Sequence, residues 1–87
     1  MDDLQRIIKD YVVREYLEAG DDREITSTTR LISGGIVDSF SMVSLKRFLE
    51  RKYSIRIADA EATPAAFDTV DRIAELVARV RARTVAV

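Results

Sequence analysis

Apolar residues return at every third or fourth position in three stretches of the chain, and each stretch predicts a helix. Leu4, Ile7, Ile8 and Tyr11 fall on one helical face, with Val12, Tyr16 and Ala19 widening the stripe. Asp2 and Asp3 suit the positive end of such a helix, and Gly20 is its natural stop, so the first helix is expected over about 3–19. Tyr11 and Tyr16 read as packing residues with wet hydroxyls. Met42, Leu45, Phe48 and Leu49 share a face in the same way and predict a second helix over about 39–53. In the third stretch Val70, Ile73, Val77 and Val80 align, bordered by Ala74 and Leu76, with Asp68-Thr69 as cap and Arg79, Arg81 and Arg83 at the negative end of the dipole. A last helix is expected over about 69–83, with a frayed tail from Thr84 to Val87.

The connections carry their own signals. Thr63-Pro64-Ala65-Ala66-Phe67 places a cap residue before a proline at the first helical position, which predicts a short helix over 63–68 with Phe67 as its core anchor. Ser54-Ile55-Arg56-Ile57 alternates like a strand but has nothing to pair with, so it reads as an extended connector with Ile55 and Ile57 turned inward. Between Gly20 and Val37 runs a long stretch rich in Thr and Ser, with Ile25, Leu31, Ile32 and Ile36 as apolar anchors that lay it across the bundle. The expected fold is all-α: one domain over 1–87, a small four-helix bundle with three longer helices, one short helix and a long loop between helices one and two.

Composition removes several classes of function. A chain of 87 residues buries only about 60% of its unfolded surface, too little for a large internal active site. It has no His, Cys or Trp, so the usual general base, metal ligands and thiolate nucleophile are missing or reduced to carboxylates, and neither an enzyme nor a metal site is expected. Fourteen basic and fifteen acidic residues leave a net charge of -1, with no field to hold nucleic acid or an anionic membrane. No aromatic platform accompanies the bases. The start Met1-Asp2-Asp3-Leu4 has neither a basic nor a long apolar run, and nothing approaches a membrane span, so a cytoplasmic monomer is expected.

One stretch stands apart: Gly34-Gly35-Ile36-Val37-Asp38-Ser39-Phe40. Two glycines permit a tight turn, and Asp38 or Ser39 can cap the helix that follows, which would leave the Ser39 hydroxyl on an exposed corner. Free amides and the helix dipole would favour an anion there. Gly-x-x-Asp-Ser-Phe followed by x-x-Val-x-Leu, in a small helical chain, resembles the modification site of the acyl carrier protein family, which includes peptidyl and D-alanyl carriers. The match is detailed from about Leu31 to Leu49 and extends in helix order over most of the chain.

The resemblance implies that Ser39 receives 4′-phosphopantetheine from coenzyme A through a phosphopantetheinyl transferase, and that Asp38 helps that enzyme recognise the site. It also implies a loading ligase for an acyl or aminoacyl group and a downstream transferase as partners. A thiol-bearing arm would supply the nucleophile that a chain without Cys lacks. The run Lys46-Arg47-Phe48-Leu49-Glu50-Arg51-Lys52 makes the second helix basic, whereas the family's fatty-acid carriers have an acidic one. Partners with an acidic or apolar surface are therefore expected, docking on Phe40, Met42, Val43, Lys46 and Arg47. Two residues between Gly35 and Asp38 resemble aminoacyl carriers more than the fatty-acid type. The alternative is a non-catalytic helical interaction module with a basic docking helix, in which Ser39 is a plain cap.

Overall fold

Each of the three long apolar stripes forms a helix, and the loops between them are tied down by side chains from distant parts of the chain. The computed structural model describes residues 3–17 and 24–85, apart from the side chains of Ser39, Thr84 and Val85. Among the described residues three α-helices follow in order: α1 Asp3–Tyr16, α2 Ser39–Tyr53 and α3 Val70–Val85. Their apolar faces meet in one core of Ile8 and Val12 from α1, Met42, Leu45 and Leu49 from α2, and Val70, Ile73, Leu76, Val77 and Val80 from α3. The loops add Ile25, Leu31, Val37, Ile55, Ile57 and Phe67. The Cα radius of gyration of 12.5 Å matches the roughly 12 Å expected of a compact chain this long.

Three helix boundaries differ from expectation. Helix α1 ends at Tyr16, with Leu17 in a bend; the expected extension through Ala19 and the stop at Gly20 lie outside the described residues. Residues 63–68 form a hydrogen-bonded turn, so the fourth helix of the expected bundle is absent among the described residues. Thr63 caps that turn as anticipated, its Oγ1 accepting from the Ala66 N–H at 3.2 Å. The turn does not run on into α3, because the Asp68 carbonyl accepts the Leu31 N–H at 2.6 Å and the Asp71 N–H donates to Ser27 instead of back along the chain. A single turn has little cooperativity with which to resist those demands. Helix α3 begins one residue later than expected and continues through Val85. Its cap is Thr69, whose Oγ1 accepts from the Arg72 N–H at 3.1 Å, while Asp68 turns to the long loop instead.

That loop lies across the bundle as its apolar anchors require. Ile25 and Leu31 are buried, and the Asp71 N–H donates to the Ser27 carbonyl at 3.0 Å. Ile55 and Ile57 turn inward from the connector after α2. Ser54 closes α2 in the left-handed region at φ 54°, and the amides of Ser54 and Ile55 both donate to the Glu50 carbonyl. The Glu50 side chain then accepts the Ile57 N–H at 2.9 Å, which fastens the connector to the helix it leaves.

Candidate functional site

The corner at the start of α2 is assembled by one carboxylate on each side. On the loop side, Asp68 Oδ1 accepts the backbone N–H groups of Ile32 at 3.0 Å and Ser33 at 2.8 Å, while its Oδ2 accepts the Ser33 hydroxyl at 2.9 Å. The Ser33 N–H, above the other causes, holds the Asp68 carboxyl below the usual carboxylate range. This clamp fixes the chain just ahead of the two glycines. Gly34 is needed because a side chain would strike the Arg30 carbonyl oxygen, and Gly35 because its φ is +81°, a region that L side chains rarely enter. The amides of Ile36 and Val37 then both donate to the Leu31 carbonyl, at 2.9 and 2.8 Å, and Val37 is buried as the last anchor before the helix.

On the helix side, Asp38 is the cap. Its backbone is extended and its Oδ1 accepts the Ser41 N–H at 2.7 Å. The Ser41 amide is the main cause of its lowered carboxyl pKa, with a smaller contribution from the Phe40 amide. Ser39 is the first residue of α2, and its side chain lies outside the described residues. Two expectations are revised here. Capping belongs to Asp38, so Ser39 is not the plain cap of the alternative reading. The amides of Phe40 and Ser41 already face the Asp38 carboxylate, so they are not a vacant anion cradle.

Helix α1 reaches the same corner through Tyr16, whose hydroxyl donates to the Ser41 carbonyl at 2.8 Å. Burial, with Tyr11 next in weight, pushes the Tyr16 phenol pKa well above its ordinary value. The hydroxyl is thus a structural donor, not the wet group expected from sequence.

The five residues expected to dock partners separate on the structure. Phe40 is 88% exposed and Val43 44% exposed, on the outer face of α2. Met42 is buried and contributes to the core. Lys46 is drawn to Asp59, Nζ to Oδ1 at 3.0 Å, with its side chain only 18% exposed. Arg47 is exposed. Sequence reasoning placed Ser44 and Arg51 in no docking role, although helical spacing aligns Phe40, Ser44, Arg47 and Arg51 along one outward stripe.

Among the described residues no cluster of carboxylates could hold a metal ion, and no helix is long and apolar enough to cross a membrane. No protein-family model matches the chain, and no curated protein matches it in sequence.

Proposed function

We propose that the chain is a carrier protein of the kind its motif resembles, with a 4′-phosphopantetheine arm on Ser39 that holds an acyl or aminoacyl group as a thioester for partner enzymes. The observation that carries the reading is the division of labour at the start of α2. Asp38 accepts the Ser41 N–H at 2.7 Å and does the capping, so the cap of the helix does not call on the residue at the next position. The clamp from Asp68, the two glycines and the Tyr16 hydroxyl support the same reading, because together they hold that position in one geometry on a bend. The arm would supply the thiol that a chain without Cys lacks.

The residues suit covalent attachment better than anion binding. With Asp38 against the first amides, a phosphodiester on Ser39 would stand beside a carboxylate, so it gains less from the dipole than an isolated anion's roughly 0.3–1 kcal/mol. Partners approach along the outer stripe of α2, where Phe40 offers an apolar contact next to Ser39 and Arg47 a charge two turns on. A transferase, a loading ligase and a downstream acyl or aminoacyl transferase are the partner classes this chemistry calls for.

The exposed Phe40 and the cations of α2 equally favour a second reading, an interaction module that carries no arm. Mass measurement separates the two. After incubation with coenzyme A and a broad-specificity phosphopantetheinyl transferase, a carrier gains the mass of one arm, and Ser39→Ala gains none. A wild-type chain that stays unmodified while a control carrier in the same tube is fully converted would remove the carrier reading.

A further inference from the structure

Three cations on α2 have no carboxylate to neutralise them among the described residues. Lys46 is committed to Asp59 at 3.0 Å, and Glu50, the acid in this half of the helix, is turned to the Ile57 N–H at 2.9 Å. Arg47, Arg51 and Lys52 are left. Together with Ser44, Phe48 and Tyr11 they line a groove of about 420 Å³ between α1 and α2, and among the described residues no acidic side chain lines it. Its apolar floor is the Tyr11–Phe48 pair, stacked with ring centroids 4.1 Å apart and planes 19° off parallel. Arg14 lies over the same Tyr11 ring at 5.8 Å, but Glu15 pairs with it at 3.5 Å, so the groove's free charge comes from α2.

The groove follows from how the helices are spaced. Among the described residues backbones approach closely over a stretch between α1 and α3, while α2 meets α1 through the long side chains of Tyr11 and Phe48. Those rings hold the two helices apart and leave a trough open along one side. Ser44, Arg47, Phe48, Arg51 and Lys52 cover roughly 12 Å of the α2 axis at 1.5 Å per residue. A small ligand would be only partly enclosed in such a trough. A segment two turns long would fill it.

We infer that this groove receives an acidic amphipathic helix from a partner protein, with an apolar side chain laid on Tyr11 and Phe48 and two carboxylates one turn apart meeting Arg47 and Arg51. Those arginines are themselves one turn apart, so carboxylates at the same interval are their geometric complement. Excess positive charge in the groove selects for acid and against a basic partner. The docking face moves accordingly from the expected Lys46–Arg47 edge to the Arg47–Arg51–Lys52 edge. This deepens the partner-docking part of the proposed function but does not require an arm on Ser39.

The experiment therefore uses the full chain with Ser39→Ala, so that a failed modification and a failed docking are seen separately. The probe is a short synthetic amphipathic helix carrying one leucine and two glutamates four residues apart, titrated into isotope-labelled protein and followed by amide chemical shifts. Saturable shifts at Tyr11, Ser44, Arg47, Phe48, Arg51 and Lys52 are expected, with an affinity that falls as salt rises. Replacing both peptide glutamates by glutamine, or combining Arg47→Gln with Arg51→Gln in the protein, should weaken binding roughly tenfold. These side chains are exposed, and an unchanged circular dichroism spectrum verifies that the variant is folded. Shifts centred elsewhere, or equal affinity for the glutamine peptide, overturn the inference. So does inorganic phosphate binding the same residues more tightly than the peptide, which would make the groove a small-anion site. Self-association that buries the groove in sedimentation runs overturns it as well, because a second copy of the chain would then be the occupant.

Discussion

The Asp68 clamp makes the sharpest prediction, because its partners are in the loop while its backbone belongs to the entry of α3. Replacing Asp68 by Ala leaves the Ile32 N–H, the Ser33 N–H and the Ser33 hydroxyl without their shared acceptor. Hydrogen bonds to a charged group contribute about 1.5–3 kcal/mol each when the donor is withdrawn from water. Ser33 is exposed, so water replaces two of the three, and only the part-buried Ile32 N–H faces the full loss. The expected cost is therefore about 1.5–3 kcal/mol for the clamp as a whole. A chain this size is stable by roughly 4–13 kcal/mol, and each kcal/mol moves its midpoint by roughly 4–8 °C. The variant should melt on the order of 10 °C lower. The pH dependence supplies a second check. Asp68 has a lowered folded-state pKa, so its contribution is present above the unfolded value of about 3.9 and is lost as pH falls through the folded value. The stability gap between wild type and Asp68→Asn, which keeps the shape without the charge, should be open at neutral pH and narrow as pH falls below the unfolded value of about 3.9. Urea unfolding followed by circular dichroism at both pH values measures it, and amide exchange should quicken at Ile32 and Ser33 before it does in α3. A gap that is independent of pH, or a cost below about 0.5 kcal/mol, would refute the clamp.

Other perturbations probe the same corner. Gly35→Ala places a side chain at φ +81° and should cost about 1–2 kcal/mol, while Gly34→Ala, which drives a methyl group into the Arg30 carbonyl, should cost more in the same denaturation assay. Asp38→Ala removes the acceptor of the Ser41 N–H and should lower the unfolding midpoint, with faster amide exchange confined to the first turn of α2. Tyr16→Phe deletes the bond to the Ser41 carbonyl and should cost about 0.5–1.5 kcal/mol. Because the folded phenol pKa is raised, the stabilisation by Tyr16 is present below the unfolded value of about 10 and is lost as pH rises beyond it. The variant's alkaline unfolding should therefore be flatter than the wild type's.

Local signals located what local physics determines. The stripe from Met42 to Leu49 and the Asp38-Ser39 start delimit α2, and they are matched by an element running from Ser39 to Tyr53. The extra helix expected over 63–68 has sound local chemistry and forms its turn, yet the Leu31 N–H, far away in sequence, claims the Asp68 carbonyl and keeps that turn from joining α3. Lys46 reads as a free base until the fold brings Asp59 beside it. The groove is equally invisible in one dimension, since its floor joins Tyr11 to Phe48. At the corner, sequence narrowed the cap to two adjacent residues, and only geometry shows that Asp38 takes the role. Apart from the cap, which Asp38 settles with Ser41 three residues on, what was missed is a contact between residues well separated along the chain.

Because Asp38 caps α2, the helix keeps its cap when the neighbouring residue is replaced. Alanine favours helices more than serine does, so Ser39→Ala should leave the fold and the docking face as they were. An experimenter thus inherits a built-in blank, in which any activity that disappears with that one atom belongs to the hydroxyl's reactivity and not to the architecture around it.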